Sequence, residues 1–349
     1  MPAFSALNVK NTRHTGIDLL RGLAILLVLF RHWTLNGFTS RLGWLGVDLF
    51  FVISGFLISG LLFREQEKHA EIDYLRFFVR RGLKIYPLFF LTLIATYALY
   101  RIHDGQVALR PFIHELLFVQ NYLGGVYVHT WSLAVEEHFY VILMLCFALF
   151  FMRSKKNVWP VCLVMMAAPL LWRLYNCYTG HGQNHFFTHT RIDSLFCGVL
   201  LSYGWRYYRQ RLLAFRQNTG SLLPAGCLVI LSGVGFTDPG SWLIQGPGFT
   251  VIAFCFAGLL LYALGADVRE TRPVKALAFT GFYSYSIYLL HIPVKQMLGH
   301  LGLHETGGAA NYLYFLIYAL ACIGIGTIVS LLIEQPVLRL RDKKFPSRA

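Results

Sequence analysis

A few ionisable residues lie inside long apolar stretches of the sequence, where charged side chains are costly and therefore point to function. Arg21 and His32 are eleven residues apart in the first stretch, so they share one face of a helix and are separated by about 16 Å along its axis. A histidine at that depth could act as a general base or as a nucleophile. The alternatives are that Arg21 reaches the lipid headgroups and that His32 is a packing residue.

A second pair of polar residues lies in the stretch WSLAVEEHFY. Glu136 and Tyr140 are one helical turn apart and share a face, and Glu136 lies about 8 Å from Trp131, at a depth similar to that of His32. We therefore expect Glu136 to orient the imidazole of His32, with Asp48 of GVDLFFVISGFLIS as a further candidate. The alternative for Glu136 is a hydrogen-bonded clasp between helices.

Three more ionisable residues are expected at the same level. Arg191 and Asp193 open the segment RIDSLFCG and are either substrate ligands or interfacial anchors. His291 lies shortly before Pro293 in YSYSIYLLHIPV, where the proline frees backbone groups that a histidine could satisfy. With the residues named above, these predict one polar layer built by five helices, in which Arg191 or Tyr140 could polarise a carbonyl oxygen.

A cluster of basic residues, Arg80, Arg81 and Lys84, occurs in RFFVRRGLKIYP before the third apolar stretch. We call it the basic cluster. Such a cluster suits the phosphates of a nucleotide-like ligand, whereas the alternative is a solvated flank or a site for anionic lipids. The sequence has no P-loop, no HExxH and no CxxC motif, so it predicts no metal site.

These residues are set in a chain of 349 residues, of which 56% are hydrophobic and only 14% are charged. Soluble domains have about 45–50% apolar and about 25% charged residues, so the composition excludes an ordinary soluble domain and a disordered chain. Seven cysteines, most of them within apolar stretches, exclude a secreted disulfide scaffold. The composition therefore indicates an integral membrane protein.

Stretches long enough to cross a bilayer, about 20 residues each, recur along the whole chain. We predict an all-α polytopic membrane protein with about ten transmembrane helices, at 19–38, 44–63, 85–100, 131–151, 157–175, 192–207, 220–236, 242–264, 278–298 and 312–338. No stretch between them is long enough for a second core, so we expect residues 1–349 to form a single integral-membrane domain. Short tails are expected at about 1–18 and 339–349.

The net charge of +14 would fit a nucleic-acid-binding protein as well as a membrane protein, and the positions of the charges decide between the two. Most of the 31 lysines and arginines fall in loops on one side of the predicted helices, which is the bias of cytoplasmic loops. We therefore expect both termini in the cytoplasm, the lipid bilayer as a partner and no nucleic-acid binding.

At these positions the chain resembles the membrane-bound acyltransferase 3 family, bacterial O-acyltransferases that modify surface and secreted glycans. The resemblance rests on GIDLLRGLAILLVLFRHW, with ten residues between Arg21 and His32, on GVDLFFVISGFLIS, on the RRxxK form at 80–84 and on WSLAVEEHFY. The segments RIDSLFCG, YSYSIYLLHIP and EQP at 334–336 match more loosely. Some members carry a fused SGNH hydrolase-like domain, and we expect none within these 349 residues.

The resemblance implies roles for residues of this sequence. His32 would be the catalytic histidine, with Arg21 its partner in the motif of a basic residue, ten residues and histidine. Arg81 and Lys84 would match the RxxR motif of the family, although lysine stands where arginine is usual and bidentate phosphate contact there is in doubt. The ExxxY motif would be filled by Glu136 and Tyr140.

The resemblance also implies an activity in the bacterial cytoplasmic (inner) membrane. An acyl group, usually acetyl, would pass from cytoplasmic acyl-CoA to a hydroxyl of an extracytoplasmic or lipid-linked glycan, as in the modification of lipopolysaccharide or exopolysaccharide. The basic cluster would bind the phosphates of acyl-CoA, and His32 would act either as general base or as a transient acyl carrier. Further residues would contact the acceptor, namely Arg191, Asp193 and His291.

Two other functions stay open at this point. The polar layer could serve a transporter or exporter of a sugar or polysaccharide, or the enzyme could acylate a small molecule such as a macrolide. A homo-oligomer is compatible with the sequence as well.

Overall fold

The structure is a computed structural model, which describes residues 14–105, 107–181, 185–266 and 268–349. All regular elements within these ranges are helices, which confirms the predicted all-α class. Six helices of the described chain are long and apolar enough to cross a membrane, and they support a multi-pass membrane protein. Ten transmembrane helices and two cytoplasmic termini stay predictions. The predicted tail at 1–18 lies mostly outside the described residues.

Sixteen α-helices follow one another along the described chain. They are α1 Thr15–His32, α2 Gly37–Gly43, α3 Leu45–His69, α4 Tyr74–Asp104, α5 Leu109–Leu116, α6 Gln120–Leu123, α7 Trp131–Cys146, α8 Val158–Thr179, α9 Thr188–Tyr207, α10 Arg209–Thr219, α11 Leu222–Val234, α12 Phe249–Leu264, α13 Arg272–Phe282, α14 Ser284–His300, α15 Ala309–Val329 and α16 Gln335–Lys344. Three short π-helical segments adjoin these helices, at Phe147–Phe151 after α7, at Ile244–Gly248 before α12 and at Ser330–Glu334 between α15 and α16.

Helix α1 ends at His32, earlier than the predicted span 19–38. Residues of α14 and α15 hold the chain there: Lys295 Nζ donates to the carbonyl oxygen of His32 at 2.5 Å. Asn311 Nδ2 donates to the carbonyl oxygen of Thr34 at 2.9 Å. These donors satisfy carbonyl groups that the end of a helix leaves unpaired. His32 is therefore the last residue of its helix and not a residue midway along it.

Helix α4 begins earlier than the predicted span 85–100. The side chain of Asp73 accepts a hydrogen bond from the backbone N–H of Arg76 at 2.9 Å, which is the arrangement of a helix N-cap. The helix then continues through the buried residues Phe77 and Ile85. The basic cluster consequently lies within α4, and the helix holds its side chains in fixed positions relative to one another.

Helices α3 and α9 approach each other closely because each presents a glycine to the backbone of the other. A Cβ atom added at Gly55 would lie 1.9 Å from the carbonyl oxygen of Leu195, and one added at Gly198 would lie 2.2 Å from that of Val52. Small residues permit such close contact between membrane helices. This contact fixes the beginning of α9 beside the beginning of α3, near the end of α1.

Candidate functional site

Three cavities follow one another through the helix bundle. The histidine cavity is lined by residues that include Arg31, His32, His129, His185 and Arg191. The central cavity is lined by residues that include Arg21, Ser54, Glu136 and Tyr140. The basic cavity is lined by residues that include Arg76, Arg80, Arg341 and Arg348.

Shared lining residues join these cavities into one series. Val47 and Tyr288 line both the histidine cavity and the central cavity. Arg81 and Lys84 line both the central cavity and the basic cavity. The central cavity therefore lies between the basic cluster and the cavity of His32 and adjoins both.

Three histidines from different parts of the chain meet at the histidine cavity. The ring centroid of His291 lies 4.7 Å from that of His32 and 4.6 Å from that of His129. The sequence analysis missed His129, whose one signal is its position two residues before Trp131, at the start of an apolar stretch. Within the described residues, no group of histidine, cysteine and carboxylate side chains is arranged to hold a metal ion.

Pro293 in α14 explains the position of His129. Proline has no N–H, so the carbonyl oxygen of Leu289 lacks the donor that a helix would supply. His129 Nε2 donates to this oxygen at 3.2 Å. His291 Nδ1 donates instead to the carbonyl oxygen of Tyr288. The expectation that His291 satisfies the freed group is therefore wrong, because His129 reaches it from the neighbouring segment.

The two hydrogen bonds fix the tautomers of His129 and His291. A carbonyl oxygen only accepts, so His129 Nε2 and His291 Nδ1 carry hydrogen atoms. In neutral rings, His129 Nδ1 and His291 Nε2 are then acceptors, and both are buried without a hydrogen-bond partner in the described part of the chain. His291 Nε2 is thus free to accept a hydrogen bond from the adjacent ring of His32.

Arg191 lies on the wall of the histidine cavity and is held by Asp48 from behind. Arg191 Nη2 donates to Asp48 Oδ1 at 2.5 Å, and Ser194 Oγ donates to the same oxygen at 3.2 Å. The guanidinium carbon lies 4.0 Å from the ring centroid of Phe249. The sequence analysis expected Asp48 to orient His32, whereas the structure pairs it with Arg191, so its effect on the imidazole is indirect.

Asp193 lies apart from the cavity of His32. Its Oδ2 accepts hydrogen bonds from Arg173 Nη2 at 2.8 Å and from Thr250 Oγ1 at 2.7 Å. The Asp193 and Arg173 side chains are buried, and the pair joins α9 to α8 and α12. The structure therefore does not bring Asp193 to a position where it would contact an acceptor beside His32.

Glu136 lines the central cavity and does not lie beside His32. Tyr140 Oη donates to Glu136 Oε2 at 2.7 Å, and Ser54 Oγ is 3.2 Å from Oε1. His32 is the last residue of α1 and lines the histidine cavity, whereas Glu136 lies more than one turn inside α7 and lines the central cavity. The predicted single polar layer is therefore wrong, and its residues are divided between two cavities.

Arg21 and the basic cluster complete the central and basic cavities. Arg21 Nη2 donates to Ser284 Oγ at 3.0 Å. Lys84 forms an ion pair with the buried carboxylate of Glu334. Arg80 forms one with Asp342 at 3.0 Å. Two members of the cluster, Lys84 and Arg80, thus have carboxylate partners from the C-terminal part of the chain, which the sequence analysis did not predict.

Arg81 differs from its neighbours in the basic cluster. Its guanidinium carbon lies 5.5 Å from the ring centroid of Tyr140 and 6.0 Å from that of Phe77. No carboxylate of the described residues forms an ion pair with it. Arg81 therefore places a guanidinium that has no direct carboxylate partner among the described residues where the basic and central cavities meet.

Comparison with known proteins gives a family and its relatives. The family described as an acyltransferase domain matches residues 14–334. The "O-acetyltransferase OatA" of Staphylococcus aureus, in strains NCTC 8325, COL and MRSA252, is 27% identical over an alignment of 355 residues that covers 95% of this chain and 58% of the relative. The chain thus spans little more than half the length of these curated relatives. No solved structure matches the chain.

Proposed function

This chain belongs to the Acyl_transf_3 family of acyltransferase domains, and we propose that it is an integral-membrane O-acyltransferase. It moves an acyl group, in the first place acetyl, from cytoplasmic acyl-CoA to a hydroxyl of an extracytoplasmic or lipid-linked glycan. The observation that carries the proposal is the series of adjoining cavities between the basic cluster and His32. The names of the relatives, which are O-acetyltransferases, support the acetyl group.

The basic cavity faces the cytoplasm in this proposal. The beginning of α4 and the C-terminal helix α16 meet there, and both are rich in lysine and arginine, as cytoplasmic segments of membrane proteins are. The membrane is then the bacterial cytoplasmic membrane, because acyl-CoA is made in the cytoplasm.

Arg81 binds the phosphates of the donor. A guanidinium presents N–H donors in a planar fork that fits phosphate oxygens, and a charge without a carboxylate partner is available for them. Lys84 and Arg80 contribute less directly, because Glu334 and Asp342 already neutralise them. Lys84, which stands where the family pattern has arginine, is therefore one of the two residues of the basic cluster that form an ion pair within the described chain.

The pantetheine arm of the donor extends through the central cavity. Arg21 lines this cavity, and His32 lies eleven residues further along α1, about 16 Å away and on the order of half the hydrocarbon thickness. Ser54, Glu136 and Tyr140 offer hydrogen-bonding groups to the amides of the arm. The thioester thereby reaches the histidine cavity while the nucleotide stays at the basic end.

His32 acts as general base on the acceptor. It takes the proton of the acceptor hydroxyl while the hydroxyl oxygen attacks the thioester carbonyl carbon, the carbon–sulfur bond breaks, and the proton passes to the leaving thiolate. His291 accepts a hydrogen bond from His32 through Nε2 and so holds the ring in position. The Arg191 guanidinium donates to the carbonyl oxygen, on which negative charge develops.

Incubation of the purified protein with radiolabelled acetyl-CoA tests the class of function. We expect release of CoA, or transfer of the label to an added glycan, by the wild-type protein and by the control variant His181→Ala, whose histidine is exposed. His32→Ala should lose this turnover. A wild-type protein that moves a sugar across a vesicle membrane without consuming acetyl-CoA would contradict the proposal and support a transporter.

A further inference from the structure

The histidine cavity has a wall of aromatic rings in addition to its histidines. The rings belong to Trp44, Trp131, Phe186 and Phe249. The ring centroids of Trp44 and Phe249 are 5.3 Å apart at 69°, and those of Trp131 and Phe186 are 5.1 Å apart at 46°. Aromatic faces bind flat apolar surfaces, and a tryptophan adds one polar N–H at its edge. A sugar ring, which has C–H groups on its faces and hydroxyls at its edge, matches this combination.

Four buried polar atoms of this cavity's residues have no hydrogen-bond partner within the described ranges. They are Trp44 Nε1, Arg191 Nε, Gln245 Oε1 and His129 Nδ1. The first two only donate, whereas the Gln245 oxygen accepts, and so does His129 Nδ1 in the tautomer described above. Buried polar groups nearly always have a partner, because a bond left unmade costs about 1–3 kcal/mol. A ligand with several hydroxyls, each both donor and acceptor, satisfies such a mixed set.

Gln245 is held in a fixed orientation. Its Nε2 donates to the carbonyl oxygen of Pro239 at 2.6 Å, so the amide oxygen is the group that remains for a ligand. The residue lies in the π-helical segment Ile244–Gly248, and such segments occur frequently at functional sites. The cavity offers about 170 Å³, which is several times the ~30 Å³ that one water molecule occupies.

The charges around the cavity restrict the ligand further. Arg31 and Arg191 line it, and no described lining residue is a carboxylate. Asp48 lies behind Arg191 and is already engaged in its ion pair. An ammonium group would therefore meet positive charge without an acidic partner, whereas a neutral or anionic ligand would not.

We propose that the histidine cavity is a saccharide subsite that accepts neutral, N-acylated or anionic sugars and excludes sugars with a free amino group. Trp44 donates to a sugar hydroxyl through Nε1 and covers a ring face, and Gln245 accepts from a second hydroxyl. The inference rests on the proposed function and deepens it, because it states which sugars the acceptor site excludes and names two residues that bind the sugar.

Binding of a matched pair of sugars to the full chain in lipid nanodiscs, without acyl-CoA, tests this subsite. The probes are N,N′-diacetylchitobiose and its deacetylated counterpart chitobiose, and calorimetry gives the dissociation constants. We expect saturable binding of the acetylated sugar and at least about tenfold weaker binding of the free amine, which corresponds to about 1.4 kcal/mol. Equal binding of the two sugars, or no saturable binding of either, would overturn the proposal.

Variants locate the binding within the cavity. Trp44→Phe and Gln245→Leu should each weaken binding of the acetylated sugar about 3–10-fold, since each removes one hydrogen bond. The control Trp242→Phe should not, because that side chain is 67% exposed. Thermal unfolding checks that each variant is folded. Unchanged affinity in both folded cavity variants would place the sugar elsewhere and refute the subsite.

The failure of this inference is distinguishable from failure of the proposed function, because sugar binding needs no acetyl-CoA. Turnover of acetyl-CoA by a wild-type protein that binds neither sugar would remove the subsite and leave the acyltransferase. Selective sugar binding by a protein that never consumes acetyl-CoA would support the saccharide subsite and contradict the acyltransferase.

Discussion

Two neighbouring residues of α4, Arg81 and Lys84, should respond differently to replacement by alanine. Arg81 has no carboxylate partner among the described residues, and in our proposal its hydrogen bonds go to the donor phosphates. Hydrogen bonds to charged groups contribute about 1.5–3 kcal/mol, so Arg81→Ala should weaken acetyl-CoA binding about 10–150-fold. The free energy of unfolding should change little, because no ion pair of the described chain is broken.

Lys84→Ala should instead lower stability. The carboxylate of Glu334 is 4% exposed and would lose its ionic partner, although Ser286 and Ser330 would still donate to it at 2.6 and 2.7 Å. Breaking a buried ion pair by removing one partner costs about 3–5 kcal/mol. We expect the lower end of this range, because the two serines remain and the side chain of Lys84 is 23% exposed. Lys84→Met combined with Glu334→Gln should recover most of the loss, since no charge is then left unpaired.

Two measurements on protein in nanodiscs separate these effects. Competition against radiolabelled acetyl-CoA gives the affinity for the donor, and thermal unfolding gives the stability. Lys68→Ala is the matched control, because this lysine is exposed near the same end of the bundle. The reasoning is refuted if Arg81→Ala binds acetyl-CoA like the wild type, or if the Lys84 and Glu334 double variant binds it as weakly as Arg81→Ala does.

Three further predictions concern the surroundings of the histidine cavity. His129→Phe leaves the carbonyl oxygen of Leu289 without a donor and should lower the free energy of unfolding by about 1–3 kcal/mol, and an unchanged denaturation midpoint would contradict this. Burial, together with nearby positive charge, lowers the pKa of His185 to about 4, so the fold favours the neutral ring. The contribution of His185 to stability should be full above about pH 6.5 and fall as the pH decreases from there to about 4. His185→Gln should flatten this part of a profile of unfolding temperature against pH. An unaltered profile would contradict this prediction. Burial raises the pKa of Glu305, but the hydrogen bond and charge of Lys295 outweigh burial and lower this pKa below its usual range. This ion pair at the end of α1 is thus present at neutral pH and lost as the pH falls through that lowered pKa. Glu305→Gln should therefore reduce acetyl-CoA turnover at neutral pH. Equal turnover by variant and wild type would show that the ion pair is dispensable.

The helices, and the presence of Arg21 and His32 on one helix, could be predicted because they depend on local patterns. Apolar stretches of membrane length need only composition, and two residues of one helix share a face through its period alone. The end of α1 could not be predicted, since it depends on Lys295 and Asn311, which are distant in sequence. The separation of His32 and Glu136 into two cavities likewise depends on how distant helices pack, which the pattern of a single helix does not predict.

The other surprises have the same physical origin. The position of His129 depends on its hydrogen bond to the carbonyl oxygen of Leu289, which Pro293 leaves unpaired in α14. Lys84 and Arg81 are both positively charged and lie three residues apart in the sequence. They differ in that Lys84 forms an ion pair with Glu334, which is far along the chain. Long-range partners of this kind leave no local pattern.

Acetylation of extracytoplasmic glycan in intact cells tests the central claim most directly. Cells that produce the wild-type protein, His32→Ala or the control His181→Ala are supplied with radiolabelled acetate, and alkali-labile acetyl groups on the extracted glycan are counted. We predict that the label disappears from the glycan with His32→Ala and persists with the control, while all three proteins are present in the membrane in equal amounts. Undiminished glycan acetylation by a normally inserted His32→Ala protein would contradict the account.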